Sequence, residues 1–265
     1  MIHPTAIIDP TARLGADVHV GPYCIIGGQV EIGEGTRIQH HVTIMGPAKI
    51  GKNNRFYAYG SIGQQSQDLK YTAEPTWLEI GDNNTFREFC TVHRATAPDA
   101  RTVIGSHNNF LSYVHIAHDC IVGNHVIFSN NGTLAGHVVV EDHVILGGLS
   151  AIHQFCRIGT RGIIGGCAKV VQDVPPYCTA DGNPARARGL NIVGLKRAGF
   201  TREQMRGLRE AFRKVYRCGL NNAQAVEEMR ATEMLPEAAR FIDFVATTKR
   251  GILVGGKAGG EEDEE

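Results

Sequence analysis

Residues 104–146 read IGSHNN FLSYVH IAHDCI VGNHVI FSNNGT LAGHVV VEDHVI L, and every block of six opens on a large apolar residue. The spacing continues through Ile152, Ile158, Ile164 and Val170, fills the chain from Ile2 to Ile62 without a break, and returns at Ile80, Phe86 and Val92. Four places after the large residue sits a small or β-branched one, as at Val114, Cys120, Val126, Val138, Val144, Ser150, Cys156 and Ala168. A period of six fits neither the 3.6 of an α-helix nor the alternation of a long strand, but it suits short strands that each end in a corner. Three hexads then make one triangular coil of eighteen residues. Stacked coils place residues eighteen apart in neighbouring parallel strands, about 4.8 Å from one another.

Two segments break the period, 63–79 and 93–103, and are expected to loop out of the coil. Loops on a rigid scaffold often carry binding groups. Glycine repeatedly follows the large apolar residue, as at Gly105, Gly123, Gly147, Gly159 and Gly165, which reads as a turn position. The repeat stops after Pro175-Pro176, so a mainly β fold is expected, a parallel β-helix over 1–188 with a C-terminal α-helical domain over 189–254. Thr201 and Gln204 make a capping box at the start of one helix. Further helices are expected near 223–232 and 236–250, and a disordered acidic tail over 255–265.

With 265 residues and 42% hydrophobic content the chain can bury a substantial core. None of the seven cysteines forms a Cys-x-x-Cys pair, which argues against a disulfide framework or a structural zinc site, and Cys24, Cys90, Cys120 and Cys156 fall on core positions. The sequence shows no signal peptide and no apolar run of membrane-spanning length, so a cytoplasmic protein without membrane insertion is expected. Formal charge is zero overall, and no nucleic-acid partner is expected. Between Asn183 and Cys218, however, ten Lys or Arg face two Glu.

Polar side chains concentrate in the last uninterrupted run: His115, His118, Asp119, His125, His137, His143, His153 and Gln154. A coil of this kind fills its interior with apolar groups, so these are expected to point outward. The eighteen-residue register puts His118 one coil below Gly136, and Asp119 one coil below His137. A histidine, a carboxylate, a second histidine and a glycine amide together form the inventory of a general-base site. An imidazole can take a proton from a hydroxyl near neutral pH, a carboxylate can orient it, and an amide can stabilise an oxyanion. Isolated histidines such as His19, His40, His41 and His107 read as solvated corner residues. Two other classes of function stay open at this point: a zinc site of the kind that γ-class carbonic anhydrases hold on the same fold, and a scaffold without catalysis. The clustered groups argue against the scaffold.

The hexads resemble those of the hexapeptide-repeat acyltransferases, and the resemblance implies a left-handed coil. It becomes close in His115-Ile-Ala-His118-Asp119-Cys, Asn131-Gly-Thr-Leu-Ala-Gly136-His137, Ala151-Ile-His153-Gln154-Phe, Asp173-Val-Pro-Pro and Asn191-Ile-Val-Gly-Leu-Lys-Arg197. With Gln67-Asp68-Leu-Lys70-Tyr71 and Val92-His93-Arg94, these are similar to the acyl-carrier-protein-dependent UDP-N-acetylglucosamine O-acyltransferases of lipid A biosynthesis. The resemblance implies a homotrimer that takes a 3-hydroxyacyl group from acyl carrier protein, needs no cofactor or metal, and uses His118 as general base with Asp119 behind it and the Gly136 amide at the thioester oxygen. It implies substrate contacts from Gln67, Asp68, Lys70, His93, His115, His137, His153, Gln154, Asn191 and Arg197, spread over two subunits, and an acyl-length gate at Gly166. Val193 and Ala198 depart from the family pattern, which has an acidic residue and a second arginine there. The acceptor is UDP-N-acetylglucosamine or its 3-amino analogue. The basic run, with Arg206, Arg209 and Arg213 on one helix, is expected to dock the acidic carrier protein.

Overall fold

The computed structural model describes residues 1–255. Short strands, from Ile7–Ile8 to Lys169–Val170, wind in turn through three faces, and with the closing hairpin the sheets count nine, eight and ten strands, parallel throughout except within that hairpin. The chain passes from the nine-stranded face to the eight-stranded face, then to the ten-stranded face and back, so a triangular prism with three edges results. Strand partners in an unbroken stretch are eighteen residues apart, as in Ile8 with Ile26 and Ile116 with Leu134. Each two-residue strand turns its second, larger apolar side chain inward. Phe56, Phe86, Phe110 and Phe128 form one internal column with ring centroids 4.9, 4.9 and 5.2 Å apart. Removing each such ring from water stabilises the fold by about 1.5–3 kcal/mol.

The interior is not wholly apolar. Where the eight- and ten-stranded faces meet, Asn54, Asn84 and Asn108 are buried in a ladder. The Asn84 Nδ2 donates to the Gly105 carbonyl at 2.9 Å, and its Oδ1 accepts the Asn108 N–H at 2.9 Å. Because the ladder satisfies these groups coil by coil, their burial carries no unpaired-polar penalty.

The glycines that follow the large residues do a different job from the one expected. Gly105 does not have positive φ; a side chain there would place Cβ 2.6 Å from the Gly123 carbonyl oxygen, so glycine is required by the close approach of successive coils. The left-handed backbone falls two residues later and mostly on residues with side chains, including His107 (φ 61°), Asp119 (φ 60°) and His137 (φ 61°).

The two excursions are shorter than the broken period suggested. Trp77–Ile80 already pairs with Ala48–Ile50 and with Arg101–Ile104, which narrows the loops to 65–76 and 94–100. At the far end the last coil closes with an antiparallel hairpin, Cys178–Gly182 against Ala185–Leu190, so strand structure runs past 188 before the helices begin. These are α1 (Ile192–Arg197), α2 (Arg202–Arg217), α3 (Asn222–Arg230) and α4 (Pro236–Ala246). Helix α2 starts at the Thr201–Gln204 capping box and buries Met205, Leu208, Ala211, Phe212 and Val215. Helix α4 ends before Arg250, because the Thr247 hydroxyl takes the Asp243 carbonyl at 2.8 Å and the chain turns back across the last coil. There the Leu253 N–H donates to the Asp173 carbonyl. Apart from Gly255, the acidic tail expected over 255–265 lies outside the described residues. No helix among the described residues is long and apolar enough to cross a membrane.

Candidate active site

His118 and Asp119 follow the strand His115–Ile116, at the edge where the nine- and eight-stranded faces meet. The left-handed corner at Asp119 aims its carboxylate back along the edge, and its own N–H is fixed by the Thr102 hydroxyl at 2.8 Å. Asp119 Oδ2 lies 2.8 Å from His118 Nδ1 and 3.6 Å from His137 Nε2. One coil higher, a side chain on Gly136 would put Cβ 2.6 Å from His118 Nε2, so only glycine leaves the imidazole its position. The Gly136 N–H has no acceptor among the described residues, whereas its neighbour His137 donates to the His118 carbonyl at 3.0 Å and ties the two coils. His137 in turn stacks on Phe155, with centroids 4.6 Å apart.

These groups point away from the coil interior, as expected, but His118 and Asp119 are covered. The second excursion covers them, leaving His118 12% and Asp119 11% exposed. The two expected contacts beneath them are also covered. His93 is buried, its ring edge-on to His115 at 5.0 Å, and its Nδ1 has no hydrogen-bond partner. Burial first, and then the neighbouring His115 and His118, push its pKa down to about 4. His115 accepts or donates at the Thr91 hydroxyl 2.7 Å away, and burial lowers its pKa too. Cys120 offers no nucleophile at this edge: its thiol turns inward to the Ala135 carbonyl at 3.2 Å, and burial pushes its pKa up to about 12.

Other expected site residues divide between edges. His153 and Gln154 are exposed on the same edge as His118, one coil above Ala135 and Gly136. Gln67, Asp68 and Lys70 ride on the first excursion, which is turned by the Lys70 N–H donating to Asp68 Oδ1 at 2.9 Å. Asn191 and Arg197 are not brought to this edge within one chain. Asn191 is the N-cap of α1: its Oδ1 accepts the Gly194 N–H at 2.9 Å, and its Nδ2 donates at 3.0 Å to the carbonyl of Arg161, where the eight- and ten-stranded faces meet. Arg197 is exposed at the end of that short helix. Gly166 lies on the third edge. Its missing side chain would meet only the Gly148 carbonyl at 3.4 Å, so space is open there, in contrast to Gly165, whose Cβ would collide with Asp181. Arg206, Arg209 and Arg213 are exposed on the outer side of α2, and none has a carboxylate partner among the described ion pairs. The sequence reading missed Thr91, Thr96 and Thr102, which hold His115, His118 and Asp119 respectively.

Chemically, the edge offers an imidazole with an orienting carboxylate, a free backbone donor one coil above and, among the described residues, no available thiol. His118, Asp119 and His137 also bring ligand atoms within 4.8 Å of one another, the one such group among the described residues that a metal ion can bridge.

A family model described as UDP-N-acetylglucosamine O-acyltransferase, domain 2, matches residues 173–253. Among solved structures, LpxA from Acinetobacter baumannii is 49% identical, with 95% of this chain and 99% of that one covered and a TM-score of 0.92. LpxA of Bacteroides fragilis, a UDP-N-acetylglucosamine acyltransferase, is 37% identical over 96% of this chain and 100% of its own, with a TM-score of 0.93. The Arabidopsis UDP-N-acetylglucosamine acyltransferase is 36% identical over 96% and 100%, with a TM-score of 0.84.

The burial of His93 sets a pH dependence of stability. Between its folded value of about 4 and the ordinary 6.5, the unfolded chain binds a proton that the folded chain refuses. Stability is therefore complete above about pH 6.5 and falls as the pH drops toward about 4. His93→Gln should flatten this part of the curve. Thermal midpoints recorded across the interval check it, and equal slopes for parent and variant would contradict the assignment.

Proposed function

The chain belongs to the UDP-N-acetylglucosamine O-acyltransferase family of left-handed β-helix enzymes, and on that premise we propose that it moves a 3-hydroxyacyl group from acyl carrier protein to the 3-hydroxyl of UDP-N-acetylglucosamine, the first step of lipid A biosynthesis, with His118 as the general base. The observation that carries this reading is the 2.8 Å contact between His118 Nδ1 and Asp119 Oδ2, directly beneath the unengaged N–H of Gly136. An ionised carboxylate only accepts, so it keeps the ring proton on Nδ1 and leaves the Nε2 lone pair free for the substrate.

In this mechanism Nε2 takes the proton of the sugar hydroxyl as its oxygen attacks the thioester carbonyl. The new C–O bond forms, and the carbonyl electrons move onto oxygen beside the Gly136 amide. When the intermediate collapses, the C–S bond breaks and the thiolate leaves with the proton held on Nε2. Asp119 stabilises the imidazolium throughout. The reaction needs no cofactor and no metal.

Sugar and nucleotide contacts are assigned to Gln67, Asp68, Lys70, His115, His137, His153 and Gln154 on the His118 edge, and to Asn191 and Arg197 from a neighbouring copy. Two observations support shared sites. Asn191 caps α1 from a different edge of the prism, so Arg197 meets a substrate at His118 only across a subunit boundary. The edge between the nine- and ten-stranded faces exposes Tyr23, Tyr59, Phe89, Tyr113 and Leu149, an apolar strip of the kind that association covers. We assign it to a homotrimer. His93 is buried, so it supports the site from below. Arg206, Arg209 and Arg213 give the acidic carrier protein a basic landing face. All seven cysteines are free thiols, which suits the reducing cytoplasm.

His118→Ala should lower turnover by at least about a hundredfold while the oligomer persists. Retention of more than about a tenth of parental activity would remove His118 from the base role, and stoichiometric zinc in the purified parent would favour a metal mechanism.

The acyl-length gate is assigned to Gly166 on the third edge, where a side chain would meet only the Gly148 carbonyl, at 3.4 Å. Gly166→Met should shift relative kcat/KM toward shorter donors in a series of ten- to sixteen-carbon 3-hydroxyacyl carrier proteins, each excluded methylene being worth about 0.8 kcal/mol, or fourfold. An unchanged order of preference would contradict the gate.

A further inference from the structure

His118 is held by more than its carboxylate. Its Nδ1 also lies 3.0 Å from the Thr96 hydroxyl, on the second excursion. The backbone N–H of the same threonine donates to the other carboxylate oxygen, Asp119 Oδ1, at 3.2 Å. Thr96 therefore touches both members of the pair, with two separate groups. Its hydroxyl has a third neighbour, the Ser66 hydroxyl at 2.7 Å, on the first excursion. Ser66 is 6% exposed and accepts the Asp68 N–H at 3.1 Å. One continuous path of hydrogen bonds thus joins the loop that carries Gln67, Asp68 and Lys70 to the ring of His118.

The donors and acceptors along this path agree on one arrangement. The proton between His118 and the carboxylate sits on Nδ1, because the carboxylate has none to give. That N–H meets the Thr96 oxygen as a second acceptor, which leaves the Thr96 hydroxyl proton to donate to Ser66. With the proton on Nε2 instead, the Nδ1 lone pair would face the carboxylate at 2.8 Å and repel it. The carboxylate selects this tautomer, the Thr96 hydroxyl fits it as a second acceptor, and the Ser66–Thr96 bond ties the two short excursions to each other beside the ring they cover.

We propose that Thr96 is a positioning residue for acyl transfer, and that Ser66 couples the seating of the first excursion to the orientation of His118. This rests on the reading of His118 as the base. Thr96 touches no reacting atom. It acts by holding the ring plane while substrate is drawn in by the loop two residues beyond Ser66.

Thr96→Val keeps the shape and the backbone bond to Asp119 but deletes the hydroxyl, and Thr96→Ser keeps the hydroxyl. Thr96→Val should lower kcat by about tenfold to a hundredfold, with KM for the nucleotide sugar within about twofold of the parent. Thr96→Ser should return most of the rate. Ser66→Ala should lower kcat less than Thr96→Val and raise the KM for the nucleotide sugar, since it frees the loop. The imidazole ¹⁵N spectrum of His118 should show one Nδ1–H tautomer, held by Asp119, in both proteins, with sharp ring resonances in the parent and exchange-broadened ones in Thr96→Val as the ring plane loosens. An unchanged kcat in Thr96→Val, or a Thr96→Ser variant as slow as Thr96→Val, overturns the proposal. His118→Ala in the same assay separates the two readings: if it stays active, the base assignment fails, and if it is inactive while Thr96→Val matches the parent, only the positioning role fails.

Discussion

Coil stacks on coil in a fixed register, and most corners are taken by a residue in the left-handed backbone region. The right-handed alternative is cheaper for most side chains, by about 1–2 kcal/mol per residue. The fold accepts that cost repeatedly, at Tyr113, Asp119, His125, Asn131, His137, His143 and onward. What offsets it is the ladder of backbone bonds between coils, such as His137 N–H to the His118 carbonyl, together with the close approach that glycines permit. The consequence for chemistry is directional. Side chains at equivalent corners form columns along an edge, so a carboxylate at one corner and an imidazole at the next must meet.

The site inherits its electrostatics from what covers that column. Two short excursions leave the coil at the same edge and close over it, and burial holds His93 and His115 toward the uncharged form beside the His118–Asp119 pair. Neutral imidazoles add hydrogen bonds and shape without adding a competing positive charge. Phe155 stacks on His137 at the open side, where both remain partly exposed. On the covered side the fixed polar groups of Thr96 and Asp119, rather than mobile solvent, face the His118 ring.

Within an uninterrupted run, simple counting by eighteen finds neighbours, which is why His118 with Gly136 and Asp119 with His137 were legible from the sequence. Across an excursion the count fails. Thr91 stands beside His115, and Ser66 beside Thr96, at separations of 24 and 30 residues that no period announces. The cover over His118 and Asp119 has no mark in the period for the same reason, since it is made of residues that break the repeat. The closing hairpin after Cys178 has no hexad to mark it, and α4 ends where a threonine hydroxyl competes for a helix carbonyl. Glycine's role was misassigned because composition records that glycine is needed but not whether φ or close approach needs it.

The proposed site requires the His118 edge of one copy to work with Arg197 of another. The direct measurement is activity of mixed oligomers assembled from His118→Ala and Arg197→Ala chains, purified through a different tag on each. If both variants are inactive alone, the doubly tagged mixed trimers should regain about a third of parental activity, because one of the three boundaries in each joins an intact His118 to an intact Arg197. Mixed oligomers as inactive as either parent would mean that both residues serve one chain, and the shared site would be wrong.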